Sequence, residues 1–164
     1  MDFSSYDNHI FFISSLSAIH TQAEIKTDVH KFELITGSNI ICNYLNLEKE
    51  SKVWSIIRFR YVNSVLDHLE EIYMPYSIFP NLTKEHCESS LLSYIESQYD
   101  FKISHGIRNI SAIKLTENEC KLLNLSEDYL VMQIENTGYL TNGRVYEFSL
   151  SKFRENKFTY YCRR

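Results

Sequence analysis

The stretch YLVMQIENTGYLTNGRVYEFSLSKF, which spans residues 129–153, decides the fold of this chain. It holds two runs rich in β-branched and aromatic residues, 129–140 and 144–153, and such runs are typical of strands. The connection between them contains Asn142-Gly143, a pair that tolerates the positive φ angles of a tight turn. The stretch therefore predicts an antiparallel hairpin.

The second strand of this hairpin has two different faces, because side chains alternate along a strand. One face carries mostly polar side chains and the other carries apolar ones. The polar face holds Glu147, Ser149, Ser151 and Phe153, and the apolar face holds Tyr146, Phe148 and Leu150. A mostly polar face is normally the solvent side of a sheet. The alternative is that Glu147 points at a ligand.

Strand patterns continue toward the N-terminus. They cover residues 24–35, 52–61, 66–74 and 101–115. In the first of these, the apolar parity changes between Val29 and Phe32, which predicts a β-bulge. Adjacent strands of this kind form hairpins, so a mainly antiparallel sheet is expected.

Short helices are predicted beside the sheet, over residues 11–21, 38–45, 89–99 and 117–123. Ser38 and either Ser89 or Ser90 are suitable N-caps, and Thr116 with Glu119 forms a capping-box signature. The fold class is therefore α+β, with a mainly antiparallel sheet flanked by short helices. A single domain covers residues 1–164, because no linker-like stretch divides the chain.

The composition excludes several classes of protein. The 164 residues are 44% apolar and 23% charged, which excludes a disordered chain, and the net charge of -4 disfavours a large nucleic-acid interface. No apolar run is long enough to span a membrane, and the N-terminus lacks a signal-peptide core. A cytoplasmic location is expected, with reduced thiols at Cys42, Cys87, Cys120 and Cys162.

Arg58 and Arg60 are the first candidates for a site. They lie two residues apart on a predicted strand, so both guanidinium groups lie on one face. Two adjacent cations repel each other unless an anion joins them. Either the pair lies on a solvated face with surface ion pairs, or it forms a clamp for phosphate or carboxylate.

Three further positions could complete such a site. Ser89-Ser90 begins a predicted helix, whose free N–H groups suit phosphate, although an ordinary N-cap is the simpler explanation. Glu70 and Glu147 could face solvent, bind ligand hydroxyls or form a catalytic pair. His68 shares a strand face with Glu70, which is weak support for a metal. No known cofactor or metal motif is present, so neither a cofactor nor a metal is predicted.

The order of these segments closely resembles the UTRA domain, the effector-binding half of GntR-superfamily transcription regulators of the HutC type. The resemblance rests on IIRFRY at 56–61, LEEIYMPYSIFPNL at 69–82, SSLLSYIESQYDFKI at 89–103 and the long segment 115–154. The last is the most specific, since it joins a capped helix, a hairpin and the pattern GR-x-x-E-x-S. The resemblance extends from about residue 11 onward.

The resemblance implies a fold like that of chorismate lyase and a regulator that is not an enzyme. Members bind small metabolites, often sugar phosphates, and dimerise through this domain. They bind operator DNA through a preceding winged-helix domain, for which the residues before the first predicted helix are too few. The resemblance thus implies a homodimeric effector domain without its DNA-binding part. A chorismate-lyase-like enzyme on the same fold is the alternative, and a dimerisation module with a decayed pocket is a third.

The resemblance also implies roles for individual residues. In members that sense amino-sugar phosphates, the positions matching Ser15, Arg58, Arg60 and Ser90 hold the phosphate. The positions matching Glu70 and Glu147 hold sugar hydroxyls. Two tyrosines of that site are replaced, by Leu92 and Phe153. A phosphorylated sugar is therefore the expected effector, without the amino sugar being specified.

Overall fold

The computed structural model describes residues 24–100, 102–126 and 128–154, and a six-stranded sheet dominates this part of the chain. Every neighbouring pair of strands is antiparallel, as the hairpin patterns predicted. The strands are β1 (Ile25–Thr36), β2 (Lys52–Val62), β3 (Val65–Pro75), β4 (Ile103–Lys114), β5 (Leu130–Leu140) and β6 (Val145–Phe153). Their order across the sheet is β1-β2-β3-β6-β5-β4.

The turns and the first bulge follow the sequence signals. The β1–β2 register shifts between Val29 and Lys31, where the parity of apolar residues changes. The β2–β3 hairpin turns through Asn63 and Ser64, whose φ angles are 48° and 63°. Gly143 has a φ of 81° in the β5–β6 turn. A residue without Cβ adopts this angle at little cost.

Four helices lie in the described residues: α1 (Asn39–Tyr44), α2 (Lys84–Glu88), α3 (Leu91–Gln98) and α4 (Glu117–Leu123). Ser38, Ser90 and Thr116 cap α1, α3 and α4 as predicted. The helix predicted over residues 11–21 lies outside the described residues. Helix α2 was not predicted, because its capping box pairs Thr83 with a histidine, His86, instead of Glu or Gln.

The helices cover both faces of the sheet. On one face, α2 and α3 close a core with strands β2 and β3; its most deeply buried members include Ile56, Ile72, Met74, Cys87 and Ile95. On the other face, α4 packs on the same strands through Phe59, Leu69, Cys120 and Leu123. The sheet therefore has no wholly solvent-exposed side at β2 and β3, which places the side chains of both faces in protein surroundings.

A second bulge changes one predicted face. The β5–β6 register shifts between Gly138 and Tyr139, so Tyr146 is the extra residue of β6. Tyr146 packs in the same core as Ile56, whereas Phe148 packs in a core on the opposite side. The expectation that Tyr146 and Phe148 share a face was therefore wrong, since an inserted residue moves its side chain off the regular alternation.

Candidate anion-binding site

A row of polar side chains crosses the sheet on the face covered by α2 and α3. The strand register places Arg58 opposite Glu70 and Glu70 opposite Ser151. Further along the row, Asn136 lies opposite Ser149. The members of this polar row are Arg58, Arg60, His68, Glu70, Ser151, Ser149, Glu147, Asn136 and Arg108.

The central part of the polar row is buried. Arg58 is 4% exposed, Arg60 8% and Ser149 6%. A solvated face with surface ion pairs, one of the two readings open from the sequence, is therefore wrong for the arginine pair. Buried charges are costly unless they are paired, so the partners of these arginines determine what the site can bind.

Each nitrogen of the Arg58 guanidinium has a hydrogen-bond partner within the protein. Its Nε and Nη2 donate to Glu70 Oε2 at 3.0 and 2.6 Å. Its Nη1 donates to the backbone carbonyl of Cys87, at the end of α2, at 3.0 Å. Arg58 thus joins the sheet to the last turn of α2 as well as neutralising a carboxylate.

Arg60 is the incompletely paired cation of the row. Its Nη1 lies 3.8 Å from Glu70 Oε2, at the outer limit for an ion pair. Its Nε is the one buried side-chain nitrogen or oxygen without a hydrogen-bond partner among the described residues. Burial lowers the pKa of Arg60, and Glu70 opposes that effect. A guanidinium keeps its charge in proteins, so a buried donor remains available for an anion.

Glu70 is held by a basic side chain at each of its two oxygens. Oε2 accepts from Arg58, and Oε1 lies 3.2 Å from Nε2 of His68. Burial alone would raise the pKa of this carboxyl group, but Arg58, His68 and Arg60 together lower it well below its usual range. Glu70 is therefore an anion at neutral pH, unsuited to act as a general acid.

Glu147 has a different environment from Glu70. Its Oε1 accepts from Ser149 Oγ at 2.8 Å and from Asn136 Nδ2 at 3.1 Å. Burial raises its pKa, and the negative charge of Glu70 raises it further. Glu147 is thus an acceptor held by neutral donors, close enough to Glu70 to sense its charge.

The two predicted serines have different outcomes. Ser90 is the N-cap of α3, and its Oγ accepts from the N–H of Ser93 at 3.3 Å. Ser90 follows three residues after Cys87, whose carbonyl accepts from Arg58, so the start of α3 lies near the arginine end of the polar row. Ser15 lies outside the described residues.

Sequence reasoning missed several members of the site. His68 was considered only as weak support for a metal, and Asn136 was not considered. Residue parity would place both on this face once the strand register is known, but the register is not readable from sequence alone. In the described ranges, no cluster of three or more His, Cys, Asp or Glu residues could hold a metal ion. None of the described helices is long and apolar enough to cross a membrane.

This fold and polar row define a ligand-binding domain of the type found in bacterial transcription regulators. The chain matches the UTRA domain over residues 20–159, and it belongs to that family. The sequence resemblance to UTRA domains is therefore confirmed, as is the predicted antiparallel α+β fold.

The relatives are regulators of the GntR family. The chain is 30% identical to the mannosyl-D-glycerate transport/metabolism system repressor MngR of Escherichia coli, over 98% of this chain and 68% of that protein. It is 32% identical to the regulator TreR of Bacillus subtilis, over 84% of this chain and 58% of TreR. The chain thus spans roughly three fifths to two thirds of the length of these relatives.

A solved structure gives the same picture. The effector-binding domain of the trehalose repressor of B. subtilis superposes with a TM-score of 0.73 at 30% identity, covering 85% of this chain and 98% of that domain. This chain is therefore an effector-binding domain of the GntR-regulator type. The comparisons give no support to the enzyme alternative.

Proposed function

We propose that this domain binds a phosphorylated sugar, or a similar polyol phosphate, and thereby controls DNA binding by a HutC-type regulator. The observation that carries the proposal is the buried arginine pair, in which the Nε of Arg60 has no hydrogen-bond partner within residues 24–100, 102–126 and 128–154. A phosphate offers several acceptor oxygens that match the fork of a guanidinium group.

The rest of the polar row fits the sugar end of such a ligand. Glu70 and Glu147 would accept hydrogen bonds from hydroxyl or amino groups, and their charges would repel a second anion. Ser90 and the N-terminus of α3 would add donors at the phosphate end, where the helix dipole favours negative charge. Ser15 is proposed as a further phosphate contact on the resemblance alone. A ligand with one anionic end and one neutral or cationic end is therefore expected.

The names of the relatives agree with a sugar-derived effector. One is called a repressor of mannosyl-D-glycerate transport and metabolism, and another a trehalose repressor. From these names we carry over to this chain only the class of the effector, a sugar derivative, and not the individual compound. We further propose that one domain spans residues 1–164, that it forms a homodimer, and that operator DNA is bound by a separate winged-helix domain.

Calorimetry with a panel of hexose 6-phosphates and the matching unphosphorylated hexoses tests the ligand. Arg60→Met is the informative variant, because Glu70 keeps its partner Arg58. We expect it to weaken phosphate-ester binding by about 2–4 kcal/mol, which is roughly 30- to 1,000-fold. Arg144→Met, which removes an exposed arginine at the β5–β6 turn, is the matched control. Equal affinity in Arg60→Met and wild type, or tighter binding of the unphosphorylated sugars, would reject the proposal.

A further inference from the structure

His68 lies beside the proposed phosphate contacts without belonging to them. It is 4% exposed and stands opposite Arg60 on β2 and opposite Phe153 on β6. Its ring centroid is 4.5 Å from that of Phe153. An imidazole buried in this way has a fixed position, so the groups at its two nitrogens decide its protonation state.

A bulge brings a second carboxylate to this imidazole. The β2–β3 register shifts beyond Arg60, which pairs with His68, while Tyr61 pairs with Leu66. Asp67 is therefore the extra residue of β3. In a regular strand, neighbouring side chains point to opposite faces, but a bulge brings two of them to the same side. As a result, Asp67 Oδ2 lies 2.6 Å from Nδ1 of His68.

Both ring nitrogens of His68 thus face carboxylate oxygens, Nδ1 toward Asp67 and Nε2 toward Glu70. A neutral imidazole has one N–H and one lone pair, so it can satisfy only one of the two carboxylates. The imidazolium satisfies both. Burial alone would lower the pKa of His68, but the hydrogen bonds to Asp67 and Glu70 outweigh burial and raise it.

The charged groups around His68 come from two strands in the described part of the chain. Asp67 and Glu70 lie on its own strand, and Arg60 with Arg58 approaches from β2. From β6 the facing side chain is the uncharged Phe153. The arginines oppose protonation of His68, and the two carboxylates at hydrogen-bonding distance favour it.

We propose that His68 is a positioning residue whose imidazolium holds the Glu70 carboxylate against Arg58, so that the site binds a phosphorylated effector more tightly when His68 is protonated. The binding part of this inference rests on the proposed function. When His68 loses its proton, its single N–H is shared between Asp67 and Glu70, and a lone pair faces the other carboxylate. Glu70 is then held less firmly against Arg58, and in either tautomer the site loses a positive charge.

The coupling can be measured without a ligand. In nuclear magnetic resonance titrations of the isotope-labelled chain, His68 should titrate above the ordinary histidine value of about 6.5. The Nε–H signal of Arg58, which reports its bond to Glu70, should move with the same midpoint. Asp67→Asn should lower the midpoint of both signals together. In His68→Gln, the Arg58 signal should not titrate over this range. The control variant is His105→Gln, which removes an exposed imidazole on β4 and should behave as wild type.

The effect on binding needs a probe of constant charge, because a phosphate monoester itself titrates near pH 6. Glucose 6-sulfate meets this need. Its affinity for wild type should fall by about fivefold or more between about pH 6 and pH 8.5, a coupling of ordinary size, and should stay constant in His68→Gln.

Each outcome has a distinct meaning. A His68 midpoint at or below the ordinary value, or an Arg58 signal that does not follow His68, would overturn the inference. Equal pH dependence of sulfate-ester binding in wild type and His68→Gln would overturn it as well. A coupled titration in a protein that binds no sugar phosphate or sulfate at any pH would instead reject the proposed function, leaving the positioning of Glu70 by His68 in place.

Discussion

Arg58 and Glu70, which face each other across β2 and β3, are joined through two guanidinium nitrogens at 2.6 and 3.0 Å. Glu70 therefore takes the place on Arg58 that an external anion would otherwise take. Arg60, at 3.8 Å, shares this carboxylate only weakly. The two arginines of one strand face should thus differ sharply in what they contribute to stability.

The first prediction compares the two arginines in the absence of ligand. Arg58→Met should destabilise the domain by about 3–5 kcal/mol, because it removes the partner of a buried carboxylate. Arg60→Met should change the unfolding free energy by less than about 1 kcal/mol, since it removes a buried charge with an unsatisfied donor. Urea unfolding at pH 7 measures both values. Equal losses in the two variants would contradict the unequal pairing.

The second prediction concerns acid stability through Glu70. The pKa of this carboxyl group is lowered in the folded protein by Arg58, His68 and Arg60 against the effect of burial. Its stabilising contribution is therefore complete above the unfolded value near 4.3 and is lost as the pH falls below it. Glu70→Gln should destabilise the domain at pH 7 by about 3–5 kcal/mol. The difference in unfolding free energy between Glu70→Gln and wild type should narrow as the pH falls toward about 3. Urea unfolding over this pH range measures it, and a constant difference would count against this account.

The third prediction is that neutralising Glu147 stabilises the domain, whereas neutralising Glu70 destabilises it. Burial raises the pKa of Glu147, so its charged form costs stability above the unfolded pKa. Glu147→Gln should stabilise the domain at pH 7 by about 0.5–2 kcal/mol, the range of single stabilising substitutions. The gain should vanish at acid pH, where the wild-type side chain is also neutral. Thermal unfolding from about pH 4 to pH 8 tests this, and a destabilised variant at pH 7 would disprove it.

The fourth prediction concerns assembly. Strand β4 lies at an edge of the sheet, and Ile107 on it is 54% exposed. Long exposed edges are normally paired or blocked, and a two-fold dimer suits a regulator of palindromic operators. We expect a dimer in sedimentation at micromolar concentration, and we expect Ile107→Lys to weaken it without lowering the melting temperature of the monomer. A wild-type chain that sediments only as monomer would contradict the proposal.

The fifth prediction is that this chain alone does not bind operator DNA specifically. Its net charge is -4, and the buried arginines of the polar row are unavailable to a phosphate backbone. Mobility-shift assays at about 0.1 M salt, with a scrambled duplex for comparison, measure this. A sequence-specific shift by the isolated chain would overturn it.

The strands and most helices could be predicted because local signals decide them. The Asn142-Gly143 turn, the Ser38 N-cap and the Thr116 capping box each act over a few residues, and each is found where the sequence placed it. The bulge after Val29 was visible because it shifts the parity of apolar residues. Helix α2 was missed because a histidine side chain completes its capping box.

The candidate site was less predictable because it depends on register between strands. Arg58 and Arg60 could be placed on one face from their spacing alone. That Glu70 lies opposite Arg58, and that Asp67 reaches His68, depends on a bulge whose position no local signal announces. Burial of the polar row also depends on α2 and α3, and packing between distant segments is not encoded in the alternation of a single strand.

The bulge at Tyr146 on β6 should be recognisable in other sequences of this family. A Cβ at Gly138 would lie 2.6 Å from the ring of Tyr146, so the tyrosine fills the volume that a side chain at 138 would need. The side chains at positions 138 and 146 therefore compete for the same volume in the core. Across relatives that keep this bulge, a residue larger than glycine at the first position should accompany a small residue at the second, so that two columns eight residues apart vary as a pair.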